Sequence, residues 1–62
     1  MTKHYIYMIT YKDLDGIVHL DGLYTQSFKA DNRCLILEDY KWVRRVYLRA
    51  IPANEEDLTM LL

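Results

Sequence analysis

The sequence has few of the residues that restrain a chain covalently or sterically. Its 62 residues include one cysteine, one proline and two glycines. A single thiol cannot form an internal disulfide and fits a reducing cytosol, so we expect a cytoplasmic protein. No apolar run approaches the ~20 residues that a helix needs to span a bilayer. These absences argue against a disulfide-stapled secreted domain and against a helical membrane protein.

An excess of charge of either sign is also lacking. The formal net charge is −1, so no global basic field points to a nucleic-acid partner. Apolar residues make up 52% of the chain, a high share for a domain near the lower size limit for independent folding. We expect residues 1–62 to form a single domain whose surplus apolar surface is covered by a second subunit or another protein.

The first part of the chain predicts a β-hairpin. Residues 4–12 and 17–25 are rich in aromatic and β-branched side chains, as is typical of strands. Between them, the dipeptide Asp15-Gly16 is a strong hairpin signal, which places the turn at residues 13–16.

A turn of this length pairs Tyr11 with Val18 and fixes which side chains share a face of the sheet. We expect the helix to cover the face formed by Tyr5, Tyr7, Ile9 and Tyr11. Gly22 within the second strand predicts a bulge or the close approach of another element.

The stretch from Leu37 to Ala50 predicts the only helix. Its apolar residues recur at intervals of three and four, which places on one face Tyr40, Val43, Tyr47 and Ala50. The opposite face is basic and carries Lys41, Arg45 and Arg49. Pro52 ends the helix, and Cys34 to Leu37 either begin it or form a short extended segment before it. The polar residues 26–33 are expected to be a loop, and residues 57–62 a last short strand.

The resulting order of strand, strand, helix and strand defines the expected fold. We predict an α+β domain with a three-stranded, mainly antiparallel sheet (ββαβ) and one helix packed on one face.

Three short motifs carry a resemblance that covers most of the chain. They are Tyr5-Ile6-Tyr7 in the first strand, Glu38-Asp39-Tyr40 with Val43 behind it, and the run from Ile51-Pro52-Ala53 to Asp57-Leu58-Thr59. The chain thereby resembles a class of very small proteins encoded by bacteriophages and prophages. That resemblance implies an origin more than an activity, and it implies a product that acts by binding one host protein.

No catalytic or metal-binding signature stands out, so we expect a non-enzymatic protein without a cofactor. His4 and His19 with Asp21 are too few ligands for a supported metal site, and ordinary strand histidines are the favoured interpretation. Cys34 has no neighbour that would activate its thiol, so a small buried apolar role is favoured over a nucleophile.

Trp42 is the most informative candidate for partner binding. On the predicted helix it lies between the apolar stripe and the basic ridge, and the proposed patch comprises Trp42, Arg45, Arg49 and Lys41. Tryptophan beside arginine is enriched in interface hot spots, although a Trp that closes the core over the sheet edge is an equal alternative. The same basic side chains offer contacts to nucleic-acid phosphates as a second interpretation.

The outer face of the sheet predicts self-association. Since one helix covers one face, the other face is expected to expose Ile6, Met8, Ile17 and Leu23. Covering this face by a second copy is the commonest solution, so we expect a homodimer.

Overall fold

The computed structural model describes residues 4–53. In chain order it has β1 (His4–Asp13), β2 (Val18–Tyr24), α1 (Ser27–Glu38) and β3 (Val43–Ala53). The described strands form one sheet in the order β2-β1-β3, with both pairings antiparallel. The predicted α+β class and ββαβ order are confirmed. The strand predicted at residues 57–62 lies outside the described residues.

The helix predicted from Leu37 to Ala50 was placed wrongly. Most of that stretch is β3, and α1 occupies the preceding segment, including the residues that were expected to form a loop. β-Branched and aromatic residues such as Val46 and Tyr47 favour a strand over a helix. The long central strand β1 also needs a second partner along its full length, and β3, at 11 residues, provides it.

α1 is a weakly amphipathic helix. Its buried positions are Ala30 and Leu37, seven residues apart and therefore on one side of the helix. Gln26 precedes the first turn in extended geometry and makes no capping hydrogen bond with its side chain. Because exposed apolar residues such as Phe28 and Leu35 lie on the other sides, the apolar stripe is diluted.

The hairpin turn is organised by one carboxylate. Asp13 Oδ1 accepts hydrogen bonds from the backbone amides of Asp15 and Ile17, both at 2.9 Å. Gly16 follows with φ of +85°, a conformation that is readily available only to glycine. The turn is therefore where the sequence predicted it, but it includes Ile17.

This longer turn shifts the hairpin register by one residue from the prediction. Lys12 pairs with Val18, whereas Tyr11, which was expected to face Val18, pairs with His19. Successive side chains of a strand alternate between faces, so the shift moves His19 to the helix side and Val18 to the opposite side.

The predicted bulge at Gly22 is confirmed. Ile9 pairs with Gly22 and Thr10 pairs with Leu20, which leaves Asp21 without a partner on β1. The extra residue redirects its side chain, as bulges commonly do.

The core lies between α1 and the middle of the sheet. Ile9, Ala30 and Leu37 are buried at its centre. Around them pack Tyr7, Tyr11, Tyr24, Cys34, Tyr40 and Val46. The face that was predicted to lie under the helix is therefore the correct one on β1, although Tyr5, at its end, is exposed. Among residues 4–53, no helix is both long and apolar enough to cross a membrane.

Candidate functional site

The three strands leave one sheet face uncovered by α1, and we call it the open face. Strand pairing places on it Ile6, Met8, Thr10, Lys12, Val18, Leu20, Leu23, Arg45, Tyr47, Arg49 and Ile51. Its β2 half is apolar and solvent-exposed, with 57% of Val18, 62% of Leu20 and 45% of Leu23 accessible. Within residues 4–53, no helix or strand packs on this half, so its apolar side chains are exposed there.

The β3 half of the open face is cationic. Every second residue of β3 from position 45 to position 49 points to this face, which gives Arg45, Tyr47 and Arg49. Arg45 pairs directly with Lys12 on β1. Two like charges directly opposite each other destabilise a sheet unless an anion neutralises them. Within residues 4–53, the strand positions of the open face carry no carboxylate. Among its described residues, the face therefore combines aliphatic side chains with positive charge that no carboxylate of the face balances.

An open cavity of about 510 Å³ lies at the turn end of this cationic half. It is lined by Lys12, Gly16, Arg44, Arg45 and Tyr47. Three cationic side chains and one phenol around a single concavity favour an anion, either a carboxylate or a phosphate group.

The residues predicted for partner binding do not form the single patch that a helix would have given. Arg45 and Arg49 lie on the open face, whereas Lys41 and Trp42 precede β3 in the turn after α1. The indole of Trp42 stacks on Tyr40, with ring centroids 4.4 Å apart, and remains 54% exposed. Since Tyr40 packs against the core, Trp42 stacks on a residue at the border of the core and still presents surface.

The residues predicted for self-association are partly brought together. Ile6, Met8 and Leu23 share the open face, but Ile17 lies in the hairpin turn. Ile6 pairs with Ile51 and is only 8% accessible, so it adds little exposed area. Sequence reasoning missed Val18 and Leu20, because the expected register placed them under the helix.

A second polar cluster lies at the hairpin turn. His19 Nε2 is 2.7 Å from Asp13 Oδ2, and the imidazole stacks on Tyr11 with centroids 5.0 Å apart. The hydrogen bond with His19, followed by the backbone amide of Ile17, lowers the pKa of Asp13 below its ordinary value. The cluster therefore holds the turn in place.

The two histidines do not converge on a metal site. His4 and His19 lie near opposite ends of β1, since His4 belongs to its first position and His19 pairs with Tyr11. In the part of the chain that the structure describes, no three histidine, cysteine or acidic side chains are close enough to hold a metal ion.

Asp21 connects the bulge of β2 to α1. Its two carboxylate oxygens accept hydrogen bonds from Arg33 Nε and Arg33 Nη2, each at 2.9 Å. This hydrogen-bonded contact is the main reason that the pKa of Arg33 is raised. A bidentate pair of this kind fixes direction as well as distance, so it orients α1 on the sheet.

Cys34 lies on the side of α1 that faces β3 and is partly buried. Burial, followed by the nearby carboxylates of Asp31 and Glu38, raises the pKa of its thiol. A raised pKa disfavours the nucleophilic thiolate, which agrees with the predicted role as a small apolar side chain.

No protein-family model matches the chain, and neither a curated protein nor a solved structure is significantly similar to it.

Proposed function

We propose that the chain is a small non-enzymatic accessory protein of phage or prophage type, which binds a host protein through its open face. The observation that carries this proposal is the exposed apolar half of that face, centred on Leu20. Burying a leucine or valine side chain contributes about 1.5–3 kcal/mol before association costs. Several such side chains on one surface give enough free energy for specific binding.

The charge on the other half indicates the chemistry of the partner. Lys12, Arg45 and Arg49 have no compensating carboxylate on the described part of the face. A partner that presents aliphatic side chains bordered by aspartate or glutamate complements both halves. Tyr47, between the two arginines, adds an aromatic contact of the kind enriched in hot spots.

A second copy of the chain is the competing occupant of the same face. It would form the homodimer that the apolar composition predicts, but the described residues would bring further cations and no carboxylate to the interface. Light scattering after size exclusion separates the two occupants. A mass near 7.5 kDa at micromolar concentration supports a different partner, and twice that mass supports self-association.

The main test is affinity capture from a bacterial lysate with three forms of the chain. Leu20→Glu/Arg45→Glu changes both halves of the open face, and Ile36→Glu is the control because Ile36 is an exposed residue of α1. The proposal expects a protein that wild type and Ile36→Glu recover and the double variant does not. The captured protein, once purified, should bind the wild-type chain at least tenfold more tightly than it binds the double variant. Equal recovery by all three forms contradicts the proposal.

Binding of nucleic acid is the second candidate, and the cationic cavity of Lys12, Arg44 and Arg45 favours it. Arginine and lysine neutralise phosphates, and each neutralised phosphate makes the affinity fall with salt. The exposed ring of Tyr47 offers a surface on which a base can stack. A gel shift on short single- and double-stranded DNA at low salt tests this function. The absence of a shift at tens of micromolar protein removes it.

A further inference from the structure

The outer edge of β3 borders a groove that the proposed function does not use. In the described sheet β3 is an edge strand, so one row of its backbone N–H and C=O groups has no neighbouring strand. The groove runs between this edge and α1 on the helix side of the sheet, has a volume of about 390 Å³ and is lined by Asp31, Cys34, Leu35, Glu38, Val46 and Leu48.

We infer that this groove binds an extended peptide segment of another protein, which adds to β3 as a further strand. The inference does not depend on the open face, because side chains on opposite faces of the sheet are involved. The segment that fits has aliphatic side chains at alternate positions and a lysine or arginine beside them.

The helix wall of the groove follows from the spacing of α1. Asp31, Cys34, Leu35 and Glu38 are separated by three, four and seven residues and so form one stripe along the helix. The apolar pair lies in the middle of the stripe, with one carboxylate a turn away on either side. At 1.5 Å per residue, the two carboxylates are about 10 Å apart along the helix axis.

The strand wall follows from the alternation of β3. Val46 and Leu48 pair with Tyr11 and Ile9, so both point to the helix side. Leu48 lies on the edge strand, where it lines the groove opposite the helix and is 43% exposed. An added strand would alternate in the same way, and every second side chain would enter the groove between Leu35 and Leu48.

The charge of the groove selects a basic segment. Among the ion pairs of the described residues, neither Asp31 nor Glu38 takes part. Both carboxylates line the groove and so place negative charge at it, and they add to the effect of burial in raising the pKa of the Cys34 thiol. Each aliphatic residue of a strand is about 6.6 Å from the next one on the same face, so a lysine or arginine beyond the aliphatic residues reaches a carboxylate.

The middle of the edge strand is free of the devices that would block pairing on the groove side. Protective devices include short length, charged side chains, a bulge or a central proline. The register irregularity of β3 falls at its start, opposite Lys12 and Asp13, and Pro52 is the second-last of its 11 residues. The residues between them pair regularly with β1, and Arg45 and Arg49 point to the open face and not into the groove. A second copy is disfavoured here, since pairing two β3 edges would bring Asp31 and Glu38 of both chains to neighbouring grooves.

The test begins with selection from a random-peptide display library against the immobilised full-length chain. The inference expects enriched peptides in which aliphatic residues alternate with other residues and a lysine or arginine flanks them. One enriched peptide is then synthesised with a fluorescent label, and its affinity is measured by polarisation. Failure to enrich any such pattern overturns the inference.

Matched variants then locate the binding. Leu35→Glu and Leu48→Glu should each weaken the peptide at least tenfold, since both side chains line the groove. Ile36→Glu, one residue along the helix and also exposed, should leave the affinity within twofold. Circular dichroism of each variant confirms that it is folded.

The pattern of losses separates this inference from the proposed function. Binding that is lost in Leu20→Glu and kept in Leu48→Glu would assign the peptide to the open face, and the groove would be excluded. Binding to the groove is confirmed if backbone amide shifts in labelled protein concentrate along β3 and affinity falls with salt.

Discussion

Leu37 and Leu35 provide a direct test of where α1 lies and which side it buries. Both are leucines of the same helix, two residues apart, but Leu37 is 2% exposed and Leu35 is 63% exposed. Replacing either with alanine changes helix propensity equally and slightly. A difference in stability between the two variants therefore reports burial alone.

The expected magnitudes follow from these exposures. Truncating a fully buried leucine removes its transfer free energy and leaves a cavity against Ile9 and Ala30, at a total cost of about 2–5 kcal/mol. For Leu35 only the buried third of the side chain counts, which amounts to roughly 0.5–1 kcal/mol. A domain of this size is typically stable by only about 3–5 kcal/mol, so Leu37→Ala should remove most of that stability.

Urea titrations followed by circular dichroism measure both losses. With a slope of about 1 kcal/mol per molar urea, Leu37→Ala should lower the midpoint by ~2 M or more and Leu35→Ala by less than ~1 M. Equal losses in the two variants would refute the placement of α1 and its buried side.

Three further predictions concern the turn, its pH dependence and the tether of the helix. Gly16→Ala should cost about 1–2 kcal/mol, and the whole cost should come from its positive φ, because an added Cβ would meet no neighbouring atom. Gly22→Ala should cost less, because its backbone is unstrained and its Cβ would make only ordinary contacts with Tyr24. The urea midpoints of the two variants compare these costs. The pKa of Asp13 is lowered, so its carboxylate stabilises the fold above the unfolded-chain pKa of about 3.9, and that contribution is lost as the pH falls through the lower folded pKa. Asp13→Asn should therefore show a weaker fall of the urea midpoint on acidification than wild type, and an unchanged acid profile would contradict the role of its contact with His19. Arg33→Lys should lower the melting temperature, because an ammonium group cannot reproduce the bidentate hydrogen bonds that the guanidinium donates to Asp21. A melting temperature equal to that of wild type would show that this contact is dispensable.

The hairpin was predictable because its signals are local. Alternating aromatic and β-branched residues on both sides of Asp15-Gly16 identify two strands and a turn without reference to the rest of the chain. The exact pairing was not predictable, since it depends on Asp13 accepting the amide of Ile17, a contact that composition does not reveal. One such hydrogen bond was enough to exchange the residues on the two faces of β2.

The helix and β3 were confused because one stretch satisfies two periodicities. Val43, Tyr47 and Ala50 fit helical spacing, while Val46, Leu48 and Ala50 fit the alternation of a strand. The choice is made by tertiary structure, since β1 has two edges and requires a partner on each. The true helix gave a weak signal, because three of its four large apolar side chains are exposed.

The candidate site was predictable in kind and not in detail. The surplus of apolar residues indicated an uncovered sheet face, and within residues 4–53 no helix or strand covers the open face. Arg45 and Arg49 lie on the same face because they are four residues apart in a strand, and side chains at even spacing share a face. Trp42 lies apart from them, in the turn that precedes β3.

The central position of β1 has a consequence for the order in which the fold is assembled. β1 precedes both of its partners in the chain, with four residues between it and β2 but 29 residues between its end at Asp13 and the start of β3 at Val43. Closing the longer loop costs more conformational entropy, so the pairing with β2 is favoured to form first.

A β-hairpin forms in about 1–10 μs, so β1 and β2 can pair before β3 docks. A two-stranded hairpin is marginally stable at best in water. Until β3 docks, one edge of β1 is unpaired and the side chains of Tyr7, Ile9 and Tyr11 lack part of their cover. In this interval the folding chain is most exposed to aggregation, and the interval ends only when β3 docks.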